Sequence, residues 1–170
     1  MAVLIASIFV QPSTLITPTT QRAQTLEILR ENRDKVVVKT ISRGAVESVE
    51  RRVMTVSAYT AGHESTGKIP SDSDYGQVAI STPSKPVYAK EWHTIAAPLN
   101  VPIGTKVCIP YFKDKPNRGV FVVEDRGGGI SGNRLDVYFG DPVKDETAVT
   151  RALKFGIQKL EVFIRKEPQK

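Results

Sequence analysis

The sequence is poor in the residues that form disulfides and metal sites. Its 170 residues contain one cysteine, Cys108, and two histidines. A single cysteine excludes an intrachain disulfide, and its place in the apolar run KVCIP favours a small buried side chain over a nucleophile. His63 and His93 have no metal-ligand spacing with each other or with Cys108. We therefore predict neither a metal nor a cofactor.

The sequence also lacks an apolar run long enough to cross a bilayer as a helix, which takes about 20 residues. The apolar run MAVLIASIFV covers only residues 1–10. Its length fits the apolar part of a secretory signal, but the basic residues that normally precede that part are missing. We interpret it as the remnant of an export signal; a clipped anchor and an artificial chain end are the alternatives. Residues 11–20 are rich in Pro, Ser and Thr and are predicted to be a linker.

The charge balance is basic, but the basic residues are scattered. Lysine and arginine number 24 against 18 acidic residues, a formal net charge of +6. Such a balance favours acidic partners: nucleic acid, anionic lipid or an anionic cell-wall polymer. The tightest basic cluster, Arg51 and Arg52, is too small for the positive stripe of a nucleic-acid interface. We predict no nucleic-acid partner, and the oligomeric state stays open.

Short β runs separated by turn residues dominate the chain from Val53 onwards. They are VMTVSAY, QVAIS, TIAA, TKVCIP, GVFVVED, RLDVYF and KLEVFIR. Upstream, QRAQTLEILREN has Ala23, Leu26 and Leu29 at helical spacing and predicts a short helix, whereas KVVVKTISRG predicts extended chain. We predict a mainly β fold with one helix, a small closed barrel over residues 53–166, preceded by an N-terminal extension over residues 1–52.

The one later helix is predicted in DETAVTRALKFG. Val149, Ala152 and Phe155 share one face of such a helix. Asp145 is the predicted N-cap and Gly156 the predicted stop.

The stretch EDRGGGISGNRLDVYF, residues 124–139, places an aspartate on either side of a glycine-rich loop. Strand alternation puts Asp136 with Tyr138, on the side away from the apolar residues of LDVYF. Alternation along VFVVED predicts that Asp125 faces the side of Phe121 and Val123. A carboxyl on a short apolar strand is partly desolvated, which raises its pKa.

Two interpretations of this stretch compete. In the first, it is a glycine-rich turn whose acids form surface salt bridges with Arg126 and Arg134. In the second, it lines a cleft that holds an acid next to a substrate, and the glycines allow the backbone to approach that substrate closely.

Four stretches, in this order, resemble the three-aspartate (3D) domain. They are SAYTAGHESTGK, TIAAPLNVPIGTKVCIP, VEDRGGGISGNRLDVYF and ALKFGIQKLEVFI, and they run from about Val53 to Arg165. The domain occurs in stationary-phase-survival muralytic proteins and in the C-terminal part of membrane-bound lytic murein transglycosylase A. The resemblance implies a six-stranded double-psi β-barrel that acts outside the cytoplasm on peptidoglycan.

The resemblance also implies an activity and its acid. The family cleaves the bond between N-acetylmuramic acid and N-acetylglucosamine and forms a 1,6-anhydro sugar without consuming water. Asp136 is then the single catalytic acid/base and Asp125 a supporting carboxylate. Ala97 stands where the family's first aspartate is expected; we predict that Ala97→Asp raises activity or shifts its pH optimum.

The predicted substrate-binding residues come from both stretches around the cleft: Tyr59, Thr60, Glu64, Gly128, Gly129 and Asn133. Glu64 is also an alternative second carboxylate that would compensate for Ala97. Trp92 is either a sugar-stacking platform or a core residue. The competing function is a barrel that binds and loosens cell-wall glycan without cutting it, as expansin-like barrels do.

Overall fold

The computed structural model of the chain describes residues 25–32, 35–42 and 45–166, with side chains from residue 48 to residue 165. The predicted export remnant and linker lie outside the described residues. The strands are β1 Thr25–Asn32, β2 Lys35–Ser42, β3 Ala45–Tyr59, β4 Thr94–Ala96, β5 Lys106–Cys108, β6 Val120–Asp125, β7 Arg134–Tyr138 and β8 Gln158–Lys166. The helices are α1 His63–Thr66, a single turn, and α2 Ala148–Phe155; a 3₁₀ turn covers Pro110–Phe112. Among the described residues, no helix is both long and apolar enough to cross a membrane.

Six of the strands form a closed ring of hydrogen-bonded pairs. The order around the ring is β3-β7-β4-β6-β5-β8, and β8 pairs back onto β3. The β3–β7 and β4–β6 pairs are parallel, and the other four are antiparallel. The prediction of a mainly β fold with one main helix is therefore confirmed, as is a ring of six strands.

The first described segment is a strand, so the prediction of a helix in QRAQTLEILREN was wrong. β1 pairs antiparallel with β2 from Thr25 opposite Ile41 to Asn32 opposite Lys35. The period-two pattern of Leu26 and Ile28 was the signal that the helical spacing obscured. A partner strand that follows within a few residues supplies hydrogen bonds that outweigh a weak helix propensity. The extended chain predicted for KVVVKTISRG is confirmed as β2.

β3 joins the two parts of the chain that the sequence divided at residue 52. Its first half pairs with β2, and its second half pairs with β7. β8 pairs with β3 from Ser48 to Val56 and spans the same division. The division into an extension and a barrel domain stays a prediction, with one strand shared between the parts.

The core fills the inside of the ring with alternate side chains of its strands. Each strand contributes apolar residues at every second position, as a half-buried strand requires. The fully buried members on the long strands are Met54, Val56, Phe121, Val123, Leu135, Val137 and Val162. Trp92 packs against this core, with its ring 5.2 Å from that of Phe139 and 5.9 Å from that of Phe112. Trp92 is thus half-buried, and the contacts of its ring favour a packing role.

The helix predicted near the C-terminal end is confirmed as α2. Ala152 and Phe155 pack against the core, and the chain leaves the helix at Gly156, whose φ is +64°. The prediction of Asp145 as the N-cap was wrong, because Thr147 occupies that position. Asp145 instead accepts hydrogen bonds from the backbone N–H and hydroxyl of Thr147, so it braces the turn that precedes the helix.

We expect Phe121→Ala to lower the free energy of unfolding by about 3–5 kcal/mol, because it leaves a cavity in the ring's core. The matched control is the neighbouring Val120→Ala, at a side chain that is 41% exposed. It should cost no more than about 1 kcal/mol. Urea denaturation at neutral pH measures both, and equal losses would contradict this description of the core.

Candidate functional site

Ala96, at the end of β4, lies between the two predicted aspartates. It pairs with Asp136 on β7 and with Asp125 on β6. Neighbouring strands are about 4.8 Å apart, so the two aspartate Cα atoms are about 10 Å apart. Side chains directly opposite each other point to the same face of a sheet. The structure thus brings both aspartates into one row, with only a methyl group between them.

The orientation predicted for Asp125 was wrong, and an irregularity in the ladder explains why. Ile95 pairs with Val123, but the register then shifts, so that Ala96 pairs with Asp125 rather than Glu124. An extra residue in one strand reverses the alternation beyond it. Asp125 therefore leaves the core side, where Phe121 and Val123 lie, and joins the face that carries Asp136.

Asp125 accepts three hydrogen bonds. Its Oδ2 accepts one from the Tyr59 hydroxyl at 2.8 Å. Its Oδ1 accepts two from backbone N–H groups, those of Ala79 at 2.8 Å and Arg126 at 2.9 Å. Three donors around one carboxylate fix its orientation.

Asp136 has the opposite environment. Burial raises its pKa to about 6, the neighbouring Ser57 and Arg134 act against that shift, and the charge of Asp125 adds to it. Its Oδ1 is buried and has no hydrogen-bond partner among the described residues. A carboxyl with a pKa near 6 holds a proton in mildly acidic solution and can transfer it close to neutral pH.

Tyr59 is hydrogen-bonded to the Asp125 carboxylate. Tyr59 is the last residue of β3. Its ring packs edge-on against that of Tyr138, with the ring centroids 5.3 Å apart. Burial, together with the adjacent Asp125 carboxylate, raises the pKa of Tyr59 far above its ordinary value. The hydroxyl therefore keeps its proton and donates a hydrogen bond to Asp125. The direct contact of Tyr59 is with a carboxylate, and its role as a substrate-binding residue stays a prediction.

Thr60 and Glu64 contact each other rather than the aspartates. Thr60 is fully buried, and its hydroxyl donates to the Glu64 carboxylate and accepts from the Gly62 N–H. Glu64 lies on the exposed turn of α1. The geometry favours a bracing role for Thr60, which holds Glu64 over Gly62. Their predicted contact with substrate stays untested.

The glycine-rich loop is open at its tip and tied down at its end. A Cβ added at Gly128 or Gly129 would have no neighbour within 4 Å, so the fold itself places no steric demand on these two positions. Gly132 has a φ of +61°, which favours glycine. Asn133 donates from its side chain to the Val53 carbonyl, and its own carbonyl accepts from the Thr55 N–H. Asn133 thus anchors the loop to β3.

The salt bridges of the competing interpretation do not form within residues 48–165. Neither aspartate is ion-paired with an arginine in that range. The Arg126 guanidinium instead donates to the carbonyls of Ala97, Pro98 and Val101, at 2.7, 3.1 and 2.8 Å. Arg126 holds the 97–101 turn against the end of β6.

A groove of about 750 Å³ opens beside Asp125. Asp125 and Arg126 form one side, and residues of the segment 68–88 form the rest of the lining. Asp136 is outside this lining. The sequence predicted a β run in QVAIS, residues 77–81, but the structure has no strand there, and within 77–88 only the isolated bridges from Gln77 to Tyr88 and from Thr82 to Lys85 form. Only the structure shows that the 68–88 segment folds back onto a carboxylate. Groups of three or more metal-ligand residues are not found in the described part of the chain.

A family match covers the segment that carries both aspartates. A family model described as the 3D domain matches residues 93–152, which include Asp125 and Asp136. Over this segment the chain is similar to the 3D domain. The match confirms the resemblance read from the sequence for 60 residues, counted from 93 to 152 inclusive, while residues 53–92 lie outside the matched range.

Whole proteins match the chain more weakly than the family model does. No curated protein matches the chain. Among solved structures, the crystal structure of MltA from E. coli matches with 21% identity and a TM-score of 0.36, over 52% of this chain. The chain spans 28% of that structure's length. So distant a likeness supports no inference about this protein.

Ala97, where the 3D domain's first aspartate was expected, belongs to the core. It is 1% exposed and packs in the same cluster as Val101 and Phe139. A carboxylate at that point would be taken out of water, and the Arg126 guanidinium, which contacts the Ala97 carbonyl, already donates to three carbonyls. The physical expectation for Ala97→Asp therefore becomes a loss of stability rather than a gain of activity.

We expect Ala97→Asp to destabilise the 3D domain by several kcal/mol at pH 7, because an unpaired charge enters an apolar core. Ala97→Asn is the matched control, since it adds the same bulk without the charge. Thermal or urea denaturation from pH 4 to pH 8 separates the two effects. The deficit of the aspartate variant relative to the asparagine variant should grow as the pH rises. A deficit that does not depend on pH would mean that bulk alone matters.

We also expect Asp136→Asn to stabilise the folded protein at alkaline pH. Because the pKa of Asp136 is raised in the folded chain, the stability of the protonated form is complete below about pH 4 and is lost as the pH rises through about 6. The neutral amide escapes this loss, so its advantage at pH 8 should be on the order of 2 kcal/mol and should vanish near pH 4. Asp114→Asn, at an exposed aspartate, should follow the parent throughout. A constant difference across this range would contradict the raised pKa.

Proposed function

We propose that the protein is a peptidoglycan lytic transglycosylase in which Asp136 is the acid/base. The observation that carries the proposal is the contrast between two neighbouring carboxylates in a 3D domain. Asp125 is surrounded by three donors, whereas burial raises the pKa of Asp136 to about 6. Pairs of acids whose environments differ in this way are typical of sites that transfer protons to a glycosidic oxygen.

The reaction follows from one transferable proton. Protonated Asp136 donates to the glycosidic oxygen between the two sugars as the bond from that oxygen to C1 of N-acetylmuramic acid breaks. Positive charge develops at C1 and the ring oxygen. The C6 hydroxyl of the same sugar then attacks C1, and its proton passes to the Asp136 carboxylate. The products are an N-acetylglucosamine end with a free hydroxyl and a 1,6-anhydro end, and water takes no part.

Asp125 supports this reaction without transferring the proton. Burial is the main cause of the raised pKa of Asp136, and the charge of Asp125 adds to it, because ionising a second carboxyl beside an anion is unfavourable. The same charge lies on the face where the positive sugar intermediate would form. Tyr59 then acts by holding Asp125, and Glu64 is a second candidate for a substrate contact.

Several finer features belong to this proposal. The ring of six strands would have the double-psi crossing of the family's barrel, over residues 53–166. The protein would act outside the cytoplasm on peptidoglycan, and residues 1–10 would be the remnant of its export signal. Gly128, Gly129 and Asn133 would border the bound glycan at the loop between the aspartates.

A barrel that binds glycan without cutting it is the second candidate. Two observations favour it: the groove beside Asp125 does not reach Asp136, and Ala97 replaces the family's first aspartate. In this case the chain would bind cell walls and leave the glycan intact.

Digestion of purified sacculi distinguishes the two functions. We expect the parent protein to release soluble 1,6-anhydro muropeptides, identified by mass, and Asp136→Asn to release at least about 100-fold less, since an amide cannot donate the proton. Asp125→Asn should lose less. Asp114→Asn is the matched control at an exposed position. The parent's rate should fall by about tenfold per pH unit above pH 6, because the acid must be protonated.

Two results would overturn this assignment. If folded Asp136→Asn cleaves like the parent, Asp136 is not the acid, and Glu64→Gln is the next variant. If the parent binds sacculi but releases no anhydro product, the protein is the glycan-binding barrel.

A further inference from the structure

The groove beside Asp125 has a wall that the 3D domain does not supply. The family model begins at residue 93, whereas the wall comes from the segment 68–88. Within it, residues 76–89 fold back on themselves. The Val78 N–H donates to the Val87 carbonyl at 3.0 Å, and the Ala89 N–H donates to the Gly76 carbonyl at 2.9 Å. We refer to residues 76–89 as the wall hairpin.

The wall hairpin is braced internally and fixed to the acid pair. The Ser81 hydroxyl accepts from the Val87 N–H at 3.0 Å and donates to the Gln77 amide oxygen. The Ala79 N–H donates to Asp125 Oδ1. A wall held this way is largely formed before any ligand arrives, which lowers the entropy cost of binding.

The charges of the groove cancel, although the chain is basic. Lys68 is paired with Asp74 at 2.7 Å, and Arg126 is bonded to three carbonyls. The lining thus contains two acids and two bases, with neither base free to bind an anion. This excludes the phosphate contacts that dominate nucleic-acid binding. The groove suits a neutral ligand rich in hydroxyl groups.

An exposed aromatic side chain completes the surface. Tyr88 lies in the lining and is 53% exposed, beside Pro83 and Pro86. Large exposed rings combine a flat apolar face with a polar tip, and the C–H face of a sugar packs against such a ring. Ser81 and Thr82 of the hairpin also line the groove. The volume of about 750 Å³ is in the range of ligand-binding clefts.

We propose that this groove binds a neutral chain of β-1,4-linked N-acetylated sugars, with Tyr88 as the stacking platform. The inference rests on the proposed function, because it identifies where the glycan would lie on the way to Asp136. It assigns substrate binding to residues outside the matched 3D segment. In this proposal, the hydrogen bond from the Ala79 N–H to Asp125 joins the sugar-binding wall to the carboxylate pair.

The test uses binding of a peptide-free probe, the tetramer of N-acetylglucosamine, to the full chain by calorimetry or NMR titration. We expect Tyr88→Ala to weaken binding by up to about tenfold, the loss of one aromatic contact. Tyr111→Ala is the matched control, because Tyr111 is 56% exposed but packs against Phe112 and Phe155, away from the groove. Its affinity should equal the parent's. Ala79→Trp, which fills the groove and keeps the backbone N–H, should abolish binding.

The outcomes separate this inference from the proposed function. Binding that depends on Tyr88, with no anhydro product from sacculi, supports the groove and overturns the enzyme. If the parent cleaves sacculi while Tyr88→Ala and Ala79→Trp bind the tetramer as the parent does, the groove is not the glycan-binding site. The proposed enzyme activity is then unaffected. If the parent does not bind the tetramer but binds cross-linked sacculi, and Tyr88→Ala weakens that binding, the glycan assignment is wrong. A stem peptide would then be the ligand. Circular dichroism confirms that each variant is folded.

Discussion

The pairing of β3 with both β7 and β8 is the constraint on which the rest of the structure depends. β7 joins one edge of β3 in parallel, and β8 joins the other edge in antiparallel fashion. The ring has no free edge between them, and β7 is held on both sides, by β3 and by β4. Asp136 therefore sits on a strand whose backbone is fixed by two neighbours, which suits a residue whose position and solvation decide its chemistry.

The contrast between the two carboxylates has a local origin in that ring. A one-residue shift in the β4–β6 ladder turns Asp125 outwards, where the Ala79 and Arg126 N–H groups and the Tyr59 hydroxyl can reach it. Asp136 follows regular alternation and gains no such donors on its buried oxygen. The same sheet thus produces one carboxyl held by three donors and one desolvated carboxyl with a raised pKa from two residues of identical type.

Sequence patterns predicted the features that depend on local periodicity. The alternation of LDVYF predicted the buried side of β7 and the raised pKa of Asp136, and the glycine after Phe155 predicted the end of α2. The orientation of Asp125 could not be predicted, because a register shift is decided by the partner strand and leaves no mark in VFVVED. The strand at Thr25–Asn32 was missed because the helical spacing obscured its period-two pattern, and its partner strand selects the extended form. The wall hairpin was missed because its contact with Asp125 uses a backbone N–H, which every residue type except proline carries.

The β3–β7 pair joins two segments that are far apart in the chain. Ser57 lies beside Asp136 only when residues far apart in the chain have paired, and β8, the last strand, must close the ring on β3. Pairings between distant segments are slow to form, because the entropy of closing a long loop is lost before any contact compensates it. In the unfolded chain Asp136 is an ordinary solvated aspartate. Its ability to hold a proton near neutral pH therefore depends on the folded ring, because burial is the main cause of its raised pKa.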